Sequence, residues 1–195
     1  MRLDRDFFAR DTLEVARDLL GRRLVRLVEG RRLSGRIVEA EAYVGEEDGA
    51  SHASPGLTKR NASMYGPPGH AYVYLIYGMY HCFNVVTAER GFPAAVLIRA
   101  LEPVEGVEAM RERRDDRPDE ELTSGPGRLC EALGIDLGCD GVDLCAAEAA
   151  LFVEEGEPVP DEGVAAGPRV NVRGDAVALS VPWRFYVEGN RYVSG

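Results

Sequence analysis

A chain of 195 residues with 45% hydrophobic and 29% charged residues can bury one full core, so a single domain over residues 1–195 is expected. Its formal net charge of −10 argues against a partner gripped by a broadly basic surface, yet residues 1–36 carry ten Arg against six acids and residues 140–168 carry eight acids and no base. No run reaches the ~20 apolar residues of a membrane span, and Cys82, Cys130, Cys139, Cys145, His52, His70 and His81 show no CxxC or HxxxH spacing, which points to a cytoplasmic protein with reduced thiols, no membrane partner and no metal.

In Asp11-Thr12-Leu13-Glu14 the spacing predicts a helix start, with Asp11 as cap and Leu13, Ala16, Leu19 and Leu20 continuing the apolar stripe to Gly21. Leu24–Val28, a turn at Glu29-Gly30-Arg31 and Leu33–Val44 read as a hairpin. Alternation along its second strand sets Val38, Ala40, Ala42 and Val44 on a packing face and Glu39, Glu41 and Tyr43 on the opposite one. Gly45–Pro68 has no periodicity and reads as a long loop, a class of segment that is usually functional or disordered.

Tyr72–Tyr77, His81–Thr87 and Ala94–Leu101 are β-branched and aromatic runs joined by short breaks, and they predict three adjacent antiparallel strands. Alternation in the first sends Tyr72 and Tyr74 to one face and Tyr77 to the other. Val104–Arg114 reads as a surface helix, Arg113–Glu121 as a charged loop, and Arg128–Leu133 as a short helix introduced by Gly125-Pro126-Gly127. Val170–Val172, Ala176–Val181 and Arg184–Val187 are late strand candidates, which completes an α+β pattern.

Several residues bear chemistry, and each also has a bland reading. Glu39 and Glu41 fit two solvated acids as well as a paired site. Arg99 interrupts the apolar run Ala94–Leu101 and must leave the core or find a carboxylate, structural or catalytic. The tyrosines could be core, although each buried hydroxyl needs a partner. His52 could be a loop bystander, and Asn84 is an amide in a β run that must be satisfied if buried.

Taken together, Phe7–Leu20, Arg36–Tyr43, Asp48–His52, Arg60-Asn61, Met64–Gly69, Tyr72–Asn84, Ala95–Pro103, Gly125–Cys130, Pro168-Arg169-Val170 and Arg184–Val187 resemble the alkyladenine (3-methyladenine) DNA glycosylases, monofunctional enzymes that flip bases. The resemblance implies an α+β domain with a curved, mostly antiparallel sheet, a protruding β-hairpin and helices packed around it. It implies Glu41 as the base that activates water, with Arg99 holding that water. Tyr43 would stack on one side of an extruded purine, with His52 and Tyr74 on the other. Asn84 would line the pocket, backbone groups near Ala50 and Val170 would complete the contacts, and Tyr77 would intercalate into the duplex.

The implied partner is double-stranded DNA containing damaged purines, bound by a monomer without a cofactor and associated with the nucleoid. The implied substrates are 3-methyladenine, with 7-methylguanine, hypoxanthine and ethenoadenine as further candidates. Lys59 is the only lysine, so a Schiff-base route has few amines to use and water is the expected nucleophile. A protein that binds flipped bases without cleaving them and a hydrolase of free nucleosides are the alternatives.

Overall fold

The computed structural model describes residues 1–194. Two short helices open the chain, α1 (Arg5–Phe8) and α2 (Thr12–Asp18). The Asp11 carboxylate accepts from the N–H groups of Leu13 and Glu14, as the cap position requires. Eight strands follow: β1 (Arg23–Val28), β2 (Arg31–Val44), β3 (Ala71–Ile76), β4 (Tyr80–Val86), β5 (Ala94–Glu105), β6 (Leu151–Glu154), β7 (Val164–Gly167) and β8 (Arg184–Val187). They form one antiparallel sheet of order β3-β4-β5-β2-β1-β6, with β8 pairing both β2 and β7.

The sheet is built around β2. One edge of this strand pairs with β5; along the other edge, residues before the strand's midpoint pair with β1 and Glu39–Glu41 pair with β8. Where the partner changes, the β2–β5 register slips around Glu39, so that Val38 and Glu39 together oppose Ala100. A bulge of this kind puts two successive side chains on one face.

The slip corrects the simple alternation. Val38 packs with Ala100 and Tyr192, whereas Ile37, Ala40 and Ala42 face the main core. Beyond the bulge the alternation resumes, and Val96 and Ile98 of β5 join that core. The core also includes Val15, Ala16 and Leu19 from the α2 region and the buried side of α5 (Pro126–Leu133).

Other elements depart from expectation for local reasons. β5 runs to Glu105, and α3 (Val107–Arg113) starts only after Gly106, whose φ of 72° breaks the strand. Within the expected charged loop lies α4 (Asp119–Leu122), whose first turn is acidic and so complements the helix dipole. Next comes α5, as expected. Ala176–Ser180 is a helix, α6, because the Asp175 carboxylate caps it through the Ala178 N–H. Val170–Val172 is irregular chain, and β6 and β7 lie in the acidic stretch where no strand was expected.

Charge asymmetry along the chain is partly cancelled by the fold. Arg5 pairs with Asp143, Arg17 with Asp161, and Arg32 with Glu154, so N-terminal arginines meet acids of residues 140–168. All four cysteines are free thiols.

Candidate active site

The bulged half of β2 carries Glu39 and Glu41 toward Arg99 of β5, and both carboxylates are completely buried. Neither is a solvated surface acid. Glu41 Oε2 accepts from the Tyr43 hydroxyl at 2.8 Å, Oε1 accepts from the Val170 N–H at 2.7 Å, and Arg99 Nη1 stands 3.3 Å from Oε1. Burial pushes the Glu41 carboxyl above the usual range; Arg99, the Val170 amide and the Tyr43 hydroxyl pull it back, and Glu39 adds repulsion. The result is a carboxylate more basic than an exposed one and held in one orientation.

Glu39 has its own partners. It accepts from Arg99 Nε at 3.0 Å, from Arg184 Nε at 2.6 Å and from the Ser194 N–H at 2.7 Å. Arg99 Nη2 reaches the Ser194 hydroxyl at 3.0 Å. Two acids and two arginines thus form one buried cluster, closed by the C-terminal segment.

Beside this cluster lies a cavity of about 880 Å³. Tyr43, Ala50, His52, Tyr72, Tyr74, Tyr77, Asn84, Arg99 and Val170 all line it. The three groups that hold Glu41 are therefore wall residues, which puts the carboxylate at the cavity's edge and out of bulk solvent. His52 meets Tyr74 edge-on at 4.4 Å between centroids, and its Nδ1 contacts the Tyr72 hydroxyl at 2.9 Å. Burial, then the nearby Arg60, lowers the His52 pKa, so the ring is neutral near pH 7. Asn84 is buried and donates to the Tyr72 carbonyl at 2.9 Å, which answers the need of an amide inside a strand. The Ala50 N–H is engaged by Asp48 Oδ1 at 3.1 Å.

Tyr77 is aimed by a turn rather than by strand alternation, because β3 ends at Ile76. Tyr77 and Gly78 have φ of 55° and 73°, both left-handed, which tightens the β3–β4 hairpin. At 75% exposure Tyr77 stands clear of the body, with Met79 and Tyr80 beside it. An aromatic ring held in solvent at a strained backbone position is costly unless it meets something there.

The structure adds residues that the sequence did not single out. Arg169 makes a buried bidentate pair with Asp48, at 2.6 and 2.8 Å, and also donates to the carbonyls of Ala42 and Ala178. Its guanidinium lies 4.7 Å from the Tyr43 ring centre and 5.1 Å from that of Trp183. Asp48 in turn accepts from the N–H groups of Val44 and Ala50. One clamp thereby ties the start of the loop with Ala50 and His52 to the segment that presents Val170. Asp48 and Arg169 are 121 positions apart and belong to no periodic pattern, so only the fold reveals their pairing.

Arg60, Arg114, Arg117, Arg128 and Arg173 also line the cavity, against Asp115 and Glu121. Of these five, Arg114 alone is ion-paired among the described residues, with Glu131. Unpaired positive charge therefore gathers around the cavity, while within residues 1–36 six of the ten arginines are ion-paired.

A buried carboxylate beside a cavity lined by tyrosines, a histidine and unpaired arginines, with an exposed tyrosine at a hairpin turn, fits one class: an enzyme that acts on bases in nucleic acid. The profile of the methylpurine-DNA glycosylase family matches residues 6–191, and the chain belongs to that family of DNA repair glycosylases. It is 53% identical over 193 residues to a Methanocella arvoryzae protein named "Putative 3-methyladenine DNA glycosylase", covering 98% of this chain and 95% of that one. Proteins of the same name are 47% identical in Alkaliphilus oremlandii, covering 100% of this chain and 99% of that one, and 50% identical in Bacillus cereus, covering 96% of each.

Proposed function

We propose that the protein flips alkylated purines, 3-methyladenine foremost, out of duplex DNA and hydrolyses their N-glycosidic bond, acting as a monomer of one domain. The observation that carries this reading is the Glu41 carboxylate, buried with a raised pKa between Arg99 and the Val170 amide at the edge of the Tyr43–His52–Tyr74 recess.

A purine inside the duplex is out of reach of a buried carboxylate, so the target must swing out, and damaged bases that stack or pair poorly do so at lower cost. Tyr77 fills the space left in the duplex. Tyr43 takes one face of the flipped ring and His52 with Tyr74 the other, and stacking of this kind contributes about 1–3 kcal/mol per base. A base carrying positive charge gains further from the tyrosine faces.

Chemistry follows from placement. Glu41 removes a proton from water as its oxygen bonds to C1′; the C1′–N bond breaks and its electron pair leaves with the base. An N-alkylated cationic purine departs neutral, without needing a proton. The developing positive charge on the sugar is stabilised by the same carboxylate. The product is an abasic site in an unbroken strand, since Lys59 is the only lysine side chain from which a covalent imine could form.

The test is release of free 3-methyladenine from methylated duplex DNA, read by chromatography and by alkali-labile sites. Wild-type protein should release base and Glu41→Gln should bind the lesion duplex but release none. Borohydride treatment should trap no protein–DNA adduct. Release by Glu41→Gln at the wild-type rate would remove the mechanism.

A further inference from the structure

The buried cluster contains more carboxylate than the proposed hydrolysis uses. Glu41 has a role in that reading; Glu39 has none, yet it is equally buried and takes three hydrogen bonds. A wholly structural ion cluster is an expensive way to stabilise a core, because apolar residues of similar volume commonly do as well or better. The geometry around Arg99 indicates what the second carboxylate does.

Arg99 directs Nε to Glu39 at 3.0 Å and Nη2 to the Ser194 hydroxyl at 3.0 Å. Its remaining nitrogen, Nη1, makes only an ion-pair contact with Glu41, at 3.3 Å. With one carboxylate and one guanidinium alone in a buried site, the two would close into a bidentate pair, the strongest arrangement open to them. Here Glu39 and Ser194 hold two of the three guanidinium nitrogens back. Arg184, which donates to Glu39 at 2.6 Å and to the Ser194 carbonyl at 3.1 Å, fixes Glu39 and the C-terminal segment in turn.

We propose that Glu39 is a positioning residue: with Ser194 it keeps Arg99 from closing onto Glu41, so that Nη1 and the Glu41 carboxylate are both left to engage the attacking water. This inference rests on the glycosylase reading of Glu41. It extends that reading to residues that touch neither DNA nor base.

Without Glu39, Arg99 has Glu41 as its only carboxylate and collapses on it. Glu41 becomes a weaker base on two counts: a tighter cation, and the loss of the repulsion from Glu39 that raises its pKa. The other groups facing Glu41 do not change: Tyr43 on β2, which Arg169 contacts; the Val170 N–H; and Cys82 on β4. The acid limb of the rate profile should therefore move to lower pH in Glu39→Gln while the maximal rate falls.

The experiment is single-turnover base release from methylated duplex across pH, with lesion-duplex Kd measured alongside and the carboxyl titration of ¹³Cδ-labelled glutamate followed in the free protein. Glu39→Gln is expected to lose at least tenfold in rate, to keep Kd within about twofold, and to show Glu41 titrating at lower pH than in wild type. Ser194→Ala removes one hydroxyl and no charge, and covers the case in which Glu39→Gln does not fold. It should lose severalfold in rate and shift Glu41 in the same direction.

A folded Glu39→Gln with wild-type rate and an unmoved Glu41 titration overturns the proposal. So does an inert Ser194→Ala when Glu39→Gln cannot be made. If wild-type protein releases no base, the glycosylase reading fails, while the carboxyl titrations still decide whether Glu39 holds Arg99 away from Glu41.

Discussion

Replacing Arg169 by Met is the sharpest test of how the recess is held together. The pair it breaks is completely enclosed: side-chain exposure is 0% for Arg169 and 1% for Asp48. Removing one partner of such a pair leaves a buried uncompensated charge, at a cost of about 3–5 kcal/mol. Asp48 would keep two backbone donors, Val44 and Ala50, which offset part of that cost. The two ring contacts, with Tyr43 and Trp183, would also go, each worth roughly 0.5–2 kcal/mol. A total loss of about 3–5 kcal/mol is therefore expected, which lowers the urea midpoint by about 1–2 M.

Asp48→Asn should cost less, because Arg169 would retain the Ala42 and Ala178 carbonyls, both rings and one amide oxygen. In the double variant no charge is stranded, so its loss should fall short of the sum of the single losses by about 1–3 kcal/mol. Urea unfolding of the four proteins, read by tryptophan fluorescence from Trp183, measures the cycle. A loss below about 1 kcal/mol in Arg169→Met, or strict additivity, would show that the clamp does not hold the recess.

Glu41→Gln should do more than abolish base release. A carboxyl whose folded-state pKa is raised contributes stability below its unfolded pKa of about 4.3 and loses it as pH rises through the folded value. At neutral pH the ionised Glu41 is thus a burden, and Glu41→Gln should unfold at higher temperature there, the difference shrinking toward acid pH; a lower Tm at pH 7 would mean that Arg99's attraction outweighs burial. Tyr77→Gly should change stability by no more than about 1 kcal/mol, since the left-handed turn suits glycine. Its affinity for lesion duplex should fall roughly fivefold to a hundredfold, the equivalent of losing one stacked ring; equal losses on free purine would refute the wedge. Binding should weaken with salt with a log–log slope of about −3 to −4 if all four unpaired cavity arginines meet phosphates, and Arg117→Ala should reduce that slope by about one unit.

The sequence showed the parts whose signal is local and missed those whose signal is not. The Asp11 cap, the first hairpin and the tyrosine strands were legible because propensity and packing agree over six or more residues. Resemblance supplied the site residues, and the structure gathers all of them at one cavity, Glu41 at its edge. β6 and β7 escaped because four-residue edge strands carry too little alternation, and α6 because a capping Asp175 outweighed the strand propensity of Val177 and Val181. Alternation sets Tyr77 on the face opposite Tyr74, but that argument stops at Ile76: the left-handed turn leaves Tyr77 exposed while it still lines the same cavity as Tyr74. Glu39 was indistinguishable from a surface acid because nothing in Arg36–Tyr43 announces the bulge or the distant Arg184 and Ser194.

The net charge of −10 also looks different once the chain is folded. Three of the arginines near the N-terminus, Arg5, Arg17 and Arg32, pair with acids of residues 140–168, and Arg10, Arg31 and Arg36 pair with other acids, so that end of the chain is less cationic than its sequence suggests. Four unpaired arginines remain around the recess, surrounded by an otherwise acidic protein. Non-specific DNA binding scales with the number of phosphates neutralised, and a small local patch neutralises few of them. On the proposed function, such a protein would leave undamaged duplex readily, and the stacking and wedge contacts made to a flipped base would supply most of the remaining affinity. Negative charge away from the recess would then favour discrimination over grip: it would weaken the complex with every sequence equally, while on the proposed function the aromatic recess strengthens only the complex in which a base reaches Glu41.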